Sequence, residues 1–204
     1  MLADDDAALM EQVARGDKGA FAHLFDRHQA SVVRFCYRFV GDVAVAEELA
    51  QDVFVKVYRS AKTYQPSARF RTFLFRVATN HCLNELRRPA RKAERVEEVS
   101  DDGEPRGPRA ASPEPVTGAT PHDALEAREA ERAVSLALAA MSDRERAAFT
   151  MCRFEGMAYR DIAEALEASE AAVKSLIHRA TLHVVKQLDA LKAASTPLPG
   201  VAHG

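Results

Sequence analysis

Apolar residues recur at helical spacing through the first part of the chain and predict four consecutive helices. The second is predicted over Lys18–Val40, the third over Val43–Lys62 and the fourth over Arg69–Arg88. A short helix precedes them, with Asp6 or a neighbour as its cap. His28 lies on the apolar side of the second helix and is interpreted as a core or boundary residue. In the third helix the apolar positions recur at intervals of three and four residues: Ala46, Leu49, Ala50, Val53, Phe54, Val57 and Tyr58.

The predicted fourth helix is apolar over most of its circumference. One narrow strip is polar and rich in hydrogen-bond donors, and it is expected to be exposed: Thr72, Arg76, Thr79, Asn80 and Arg87. Arginine and asparagine side chains match phosphates and base edges, and an outward-facing aromatic ring could stack an unpaired base. The strip therefore indicates a nucleic-acid contact, with a solvated helix face as the alternative.

The polar face of the third helix carries a different signal. Charged and amide side chains surround Val55 there, and an apolar residue in such a setting indicates a protein partner. The face consists of Glu48, Gln51, Asp52, Val55 and Arg59.

After Pro89 the composition changes. A basic run turns acidic, and residues 100–121 contain prolines at 105, 108, 113, 115 and 121 with little that could build a core. We therefore predict an all-α fold of two helical domains joined by a disordered linker. The predicted boundaries are 1–95 for the first domain, 96–120 for the linker, 121–194 for the second domain and 195–204 for a disordered tail.

The second domain has the layout of a helix-turn-helix. A short helix with Ile162 and Ala163 is followed by a turn at Glu167-Ala168 and by a long helix capped by Ser169. An ordinary packed helical hairpin is the alternative. The side of the long helix expected to face a DNA groove carries Glu170, Ala172, Lys174, Ser175, His178 and Arg179.

Composition excludes several functional classes. The net charge of −2 means that any nucleic-acid contact must come from local patches. The three cysteines are far apart and never form a C-x-x-C pair, which is typical of a reducing cytoplasm. No apolar run approaches the ~20 residues of a membrane span, and the acidic N-terminus does not resemble a signal peptide. Because no phosphate loop, metal-ligand spacing or carboxylate pair is present, we predict no cofactor, no metal and no catalytic residue.

Three stretches carry a resemblance to a known family. They are residues 17–60 (DKGAFAHLFDRHQASVVRFCYRFVGDVAVAEELAQDVFVKVYRS), residues 70–88 (FRTFLFRVATNHCLNELRR) and residues 136–180 (LALAAMSDRERAAFTMCRFEGMAYRDIAEALEASEAAVKSLIHRA). In order and spacing they resemble the extracytoplasmic-function (group IV) sigma factors of bacterial RNA polymerase, in the sigma-70 superfamily. The first two look like the family's second region and the third looks like its fourth.

The resemblance implies a sigma factor that binds core RNA polymerase, directs it to promoters and assists promoter opening. Its implied partners are promoter DNA, the clamp helices of the largest polymerase subunit, the flap of the second-largest subunit and an anti-sigma protein, without membrane insertion. The polymerase would contact Glu48, Gln51, Asp52, Val55 and Arg59. The melted −10 element would contact Tyr64, Arg69, Phe70, Arg71, Thr72, Arg76, Thr79, Asn80, Arg87 and Arg88. The −35 duplex would contact Arg160, Glu170, Ala172, Lys174, Ser175, His178 and Arg179.

The chain departs from the family pattern at several positions. Phe73 stands where a tryptophan is usual, and Glu167 replaces a glycine at a turn where positive φ is often required. Ala172, Leu176 and Thr181 replace a threonine and two arginines, so weaker −35 recognition is expected. Two other functions stay open from the residues: a polymerase-independent helix-turn-helix regulator, and a helical adaptor that binds only proteins.

Overall fold

The computed structural model describes residues 5–65, 69–88 and 121–195, and the part of the chain it describes contains helices and no strands. The predicted linker (96–120), the basic run after Pro89 and most of the predicted tail lie outside these residues. The helices are α1 Asp5–Ala14, α2 Lys18–Val40, α3 Val43–Ser60, α4 Phe70–Leu86, α5 Pro121–Ala140, α6 Asp143–Arg153, α7 Tyr159–Ala165 and α8 Glu170–Ser195. A 3-10 turn, Ala61–Thr63, follows α3.

Side-chain caps determine where α2 and α3 begin. The Asp17 carboxylate accepts hydrogen bonds from the backbone amides of Gly19 and Ala20, and Asp42 accepts one from Val45. Gly41 ends α2 with φ 71°, a conformation that glycine adopts without steric cost. Local chemistry therefore accounts for the predicted bounds of α2, which the structure confirms.

Asp6 lies in the first turn of α1. Its carboxylate is buried and lies 2.7 Å from His28 Nε2, and it also pairs with Arg27. It ties α1 to α2 across 22 residues of sequence. His28, 6% exposed, is confirmed as a core residue. The prediction that Asp6 or a neighbour caps α1 stays a prediction, because the residues before Asp5 lie outside the described range.

Aromatic rings fill the space between α2, α3 and α4. The Phe35 ring packs 5.1 Å from Phe75, and the Phe25 ring 4.8 Å from Phe54. Tyr58 was predicted to be buried but is 43% exposed, with one edge of its ring against Phe21 at 5.0 Å. Tyr58 lies near the C-terminal end of α3, at the edge of the core. Its ring therefore packs on Phe21 and does not enter the space between the helices.

Two capping motifs shape the second half. The Ser142 and Glu145 side chains form a reciprocal capping box at the start of α6. At the end of α7 the amide of Ala168 bonds to the Ala163 carbonyl and that of Glu167 to the Glu164 carbonyl, the hydrogen-bond pair of a Schellman motif. Glu167 has φ 49°, confirming that this turn needs a positive φ.

Because Glu167 occupies a conformation that favours glycine, Glu167→Gly should stabilise the chain. Relief of about 1–2 kcal/mol of steric cost exceeds the roughly 0.5–1 kcal/mol entropic cost of glycine, so we expect a gain of up to about 1 kcal/mol in chemical denaturation. The matched control is Glu164→Gly, an exposed position inside α7, which should cost about 1 kcal/mol. Loss of stability in both variants would contradict the strain assigned to Glu167.

The two halves of the chain pack against each other. Helix α4 contacts α6 and α7, and α2 contacts α5 and α6. One cluster of buried apolar side chains runs through both halves, from Phe70 and Phe75 to Met151 and Ile162. Arg146, buried on α6, donates to the Phe39 carbonyl of α2 at 3.0 Å and to the Leu138 carbonyl at 2.8 Å. The halves therefore share an interior in this arrangement.

Candidate polymerase and nucleic-acid interfaces

The predicted partner face of α3 is exposed along its whole length. All five of its residues, Glu48, Gln51, Asp52, Val55 and Arg59, lie on the surface, and Val55 is 47% exposed. Tyr58 lies three residues after Val55 and on the same side, so the face has a second apolar group. The sequence did not indicate this role for Tyr58, because its spacing also fits the buried side of the helix.

The polar strip of α4 is narrower than predicted. Thr72 and Thr79 are each 3% exposed, and Thr79 Oγ1 donates to the Phe75 carbonyl at 2.7 Å. Phe70 is fully buried, so its ring is not available to stack a base in this arrangement. The expectation that these threonines are exposed was wrong because neighbouring elements cover α4 on more than one side. A threonine can be buried there by returning its hydroxyl to its own helix.

The rest of the predicted −10 surface remains accessible. Asn80, Arg87 and Arg88 are exposed and Arg76 is half-buried. Tyr64 lies with its ring 5.2 Å from Phe73, and the Arg76 guanidinium lies 5.8 Å from the same ring. Tyr64, Phe73 and Arg76 line a cavity of about 360 Å³. Its other walls are formed by Ser60, Thr63, Gln65, Thr72 and Glu164.

Two arginines of the predicted −10 set contact carboxylates of the second half. Arg71 Nη2 donates to the Glu155 carbonyl at 3.0 Å and to Glu155 Oε2 at 3.1 Å. Arg69 Nη1 lies 3.4 Å from Asp161 Oδ2. The partners are 84 and 92 residues apart, and neither acid carries a local sequence signal that could have predicted the pairing.

The predicted groove-facing side of the helix-turn-helix is a continuous exposed surface. All seven of its residues lie at the surface: Arg160, Glu170, Ala172, Lys174, Ser175, His178 and Arg179. Behind them Ala163 and Val173 are buried where α7 meets α8, as their spacing predicts. Leu176 is 9% exposed and Thr181 Oγ1 donates to the Ile177 carbonyl. Leu176 is thus a core residue of the helix-turn-helix.

Arg179 also makes a structural contact within the second half of the chain. Its Nε donates to Glu145 Oε1 at 2.6 Å, while 55% of its side chain remains exposed. Burial raises the pKa of the Glu145 carboxyl, but the hydrogen bonds from Arg179 and Ser142 outweigh it and hold that pKa below its usual value. Lys174 is exposed and has no such structural role in the described contacts, so it is the cleaner probe of duplex binding.

The described residues contain no group of three or more His, Cys, Asp and Glu side chains placed to hold a metal ion. Among the helices that the structure describes, none is both long enough and apolar enough to cross a bilayer.

The chain matches two protein-family profiles, Sigma-70 region 2 over residues 24–92 and Sigma-70 region 4 over residues 131–184. It is 31% identical to the RNA polymerase sigma-H factor of Pseudomonas aeruginosa over 189 residues, covering 92% of this chain and 96% of that protein. It is 27% identical to the ECF RNA polymerase sigma factor SigW of Bacillus subtilis, over 88% of this chain and 94% of that one.

Solved structures support the same fold. CnrH, determined in complex with the cytosolic domain of CnrY, is similar with a TM-score of 0.65 at 22% identity, over 92% of this chain and 99% of that one. The sigma factor RpoE of Bartonella quintana, in complex with the anti-sigma factor NepR, gives 0.61 at 17% identity, over 83% and 96%. With both regions present in order and the alignment to relatives nearly end to end, the chain belongs to the extracytoplasmic-function group of sigma-70 RNA polymerase factors.

Proposed function

We propose that this sigma factor divides its work between three surfaces. The α3 face from Glu48 to Arg59 binds the clamp helices of the largest polymerase subunit. The accessible side of α4, with the Tyr64 loop, captures the melted −10 strand, and the exposed side of α8 reads the −35 duplex. The observation that carries the proposal is the exposed seven-residue side of α7 and α8, placed immediately around a helix-turn-helix.

The proposed surfaces differ in the physics of their contacts. A base that leaves the duplex needs a new stacking partner, and an aromatic or arginine plane supplies about 1–3 kcal/mol per base. Tyr64, Phe73 and Arg76 provide such planes around one cavity. A closed duplex needs a helix in its major groove, which α8 supplies. Neither task includes a catalytic step, so the proposed protein is not an enzyme and leaves RNA synthesis to the polymerase.

The same assignment implies further partners and a location. We place the flap of the second-largest polymerase subunit against the second half of the chain. Since CnrH and RpoE were solved with the protein partners named in their descriptions, an anti-sigma protein is a proposed partner as well. The protein would act in the cytoplasm with the polymerase. The division into domains 1–95 and 121–194, with a linker over 96–120, is part of this proposal.

Run-off transcription with core polymerase tests the proposal. A sigma factor should produce a promoter-dependent transcript that core enzyme alone does not make. A polymerase-independent regulator would bind DNA without restoring initiation, and an adaptor would do neither. Absence of transcript from any promoter in a library of native upstream regions would contradict the proposed function.

Reversing one charge should test the α3 face. Asp52→Lys is expected to reduce affinity for core polymerase about tenfold or more, about 1.4 kcal/mol, because a like charge replaces a complementary one at the contact. Fluorescence anisotropy of labelled sigma titrated with core enzyme gives the affinity.

Asp26→Lys is the matched control, since it makes the same charge change at an exposed position on α2. Circular dichroism should be unchanged in both variants. Equal polymerase affinity for Asp52→Lys and the control would remove α3 from the interface.

A further inference from the structure

Carboxylates of the second half lie where the first half is proposed to hold DNA. Arg71 of α4 contacts Glu155 through both the backbone carbonyl and the carboxylate, at 3.0 and 3.1 Å, and Arg69 contacts Asp161 at 3.4 Å. The acidic side chains are only 4% and 10% exposed, whereas the arginines are 41% and 70% exposed. An arginine fork binds carboxylate and phosphate with the same geometry, so these acids compete with a DNA backbone for the same donors.

A third acid lies at the proposed base-binding cavity. Glu164, on α7, lines the cavity together with Tyr64, Phe73 and Arg76. A negative side chain at the wall of this cavity opposes entry of a polyanion. Helix α7 is also the first helix of the helix-turn-helix, so one element of the −35 reader covers part of the −10 surface.

Additional contacts hold this arrangement. The Arg38 guanidinium of α2 lies 3.8 Å from the centre of the Phe154 ring, a cation–π contact between the halves. Arg146 reaches from α6 to the Phe39 carbonyl, and the apolar core is continuous between the halves. The acid–arginine pairs are therefore part of a packed interface and not isolated surface pairs.

We propose that the packed arrangement is a self-inhibited state, in which Glu155, Asp161 and Glu164 occupy the −10 surface until the halves separate. This inference rests on the proposed role of α4 in DNA capture. Only the open fraction of the chain can bind promoter DNA, so the apparent affinity is reduced by that fraction. Separation would free Arg69 and Arg71 for phosphates and remove Glu164 from the wall of the proposed base-binding cavity.

The test combines a distance measurement with transcription. Spin labels are attached to cysteines introduced at the exposed Lys56 and Lys186, with Cys152 replaced by serine. With the interface residues unchanged, pulsed electron paramagnetic resonance should give one narrow distribution of the distance between the two labels. In Glu155→Lys/Asp161→Lys, where lysines face Arg71 and Arg69, the distribution should broaden toward longer distances. Abortive transcript yield at limiting sigma should rise severalfold, up to about tenfold if one chain in ten is open at the start.

Two further variants make the test specific. Asp189→Lys, the same charge change at an exposed position of α8, should alter neither distance nor yield. Adding Arg71→Glu to Glu155→Lys should restore the narrow distribution by exchanging the charges. The charge-reversal variant could lose helical content for an unrelated reason. The labelled chain with Glu155 and Asp161 in place then provides the test, because 0.5 M salt screens the acid–arginine pairs and should shift its distance distribution toward longer distances.

An unchanged distance distribution in the reversed chain and at high salt would overturn self-inhibition, with the proposed function intact. Open distances without any run-off transcript would overturn the proposed function, and with it the inhibitory role.

Discussion

Arg146→Met is expected to lower the free energy of unfolding by about 3–5 kcal/mol. Arg146 is 8% exposed, and its guanidinium donates to three backbone carbonyls, those of Leu138, Met141 and Phe39, at 2.8, 3.3 and 3.0 Å. Two of these carbonyls lie at the end of α5, where the regular ladder of helical amides runs out, although the Leu138 carbonyl also accepts a hydrogen bond from the Met141 amide at 3.3 Å. Methionine fills a similar volume but leaves the carbonyls buried without that donor, at about 1–3 kcal/mol each.

Urea denaturation followed by circular dichroism measures the effect. Arg153→Met is the matched control, an exposed position on the same helix, and should change stability by less than about 0.5 kcal/mol. A loss below about 1 kcal/mol for Arg146→Met would mean that water replaces the guanidinium and that the contact contributes little.

The second large effect is expected in promoter opening. Arg76→Ala and Asn80→Ala should reduce permanganate reactivity of −10 thymines at saturating holoenzyme about tenfold, roughly 1.4 kcal/mol, because their proposed contacts form only after bases leave the stack. Binding to closed duplex should be retained. Asn80 is exposed and Arg76 half-buried beside Phe73, so both changes should leave the core packing in place.

Lys174→Ala supplies the contrast. If it neutralises one phosphate of the −35 duplex, affinity should fall and the salt slope should decrease by about 0.9, with normal opening once holoenzyme saturates the promoter. Arg179→Ala is less informative, because it also removes the partner of Glu145. Normal opening by the Arg76 and Asn80 variants would leave α4 a solvated face and move the melting site to the loop before it.

Features with short-range causes could be predicted from the residues. The bounds of α2 depend on Asp17, which caps its start, and on Gly41, which caps its end. The positive φ at Glu167 was expected from the glycine usual at this position in the family, and its cause is the local Schellman turn at the end of α7. The six exposed residues on α8 were predicted because this helix is apolar on one side only, so its periodicity has a single interpretation.

Helix α4 shows where periodicity is insufficient. It is apolar around most of its surface, and its pattern could not distinguish a threonine that faces solvent from one that returns its hydroxyl to the Phe75 carbonyl. The error at Tyr58 has a related cause, since a ring at the edge of a helix's apolar side can cover a neighbour or enter the core.

The sequence by itself therefore determined the all-helical class, the helix-turn-helix and the exposed polar face of α3, because caps, turns and one-sided periodicity act within a few residues. Tertiary structure alone decided that Arg71 meets Glu155, that Arg69 meets Asp161 and that α7 covers part of the proposed −10 surface. Partners 84 and 92 residues apart leave no pattern in a single sequence. The pairing of these arginines and acids depends on how the apolar surfaces of the two halves pack. That packing brings a few charged side chains into contact and leaves the remaining charged side chains in water.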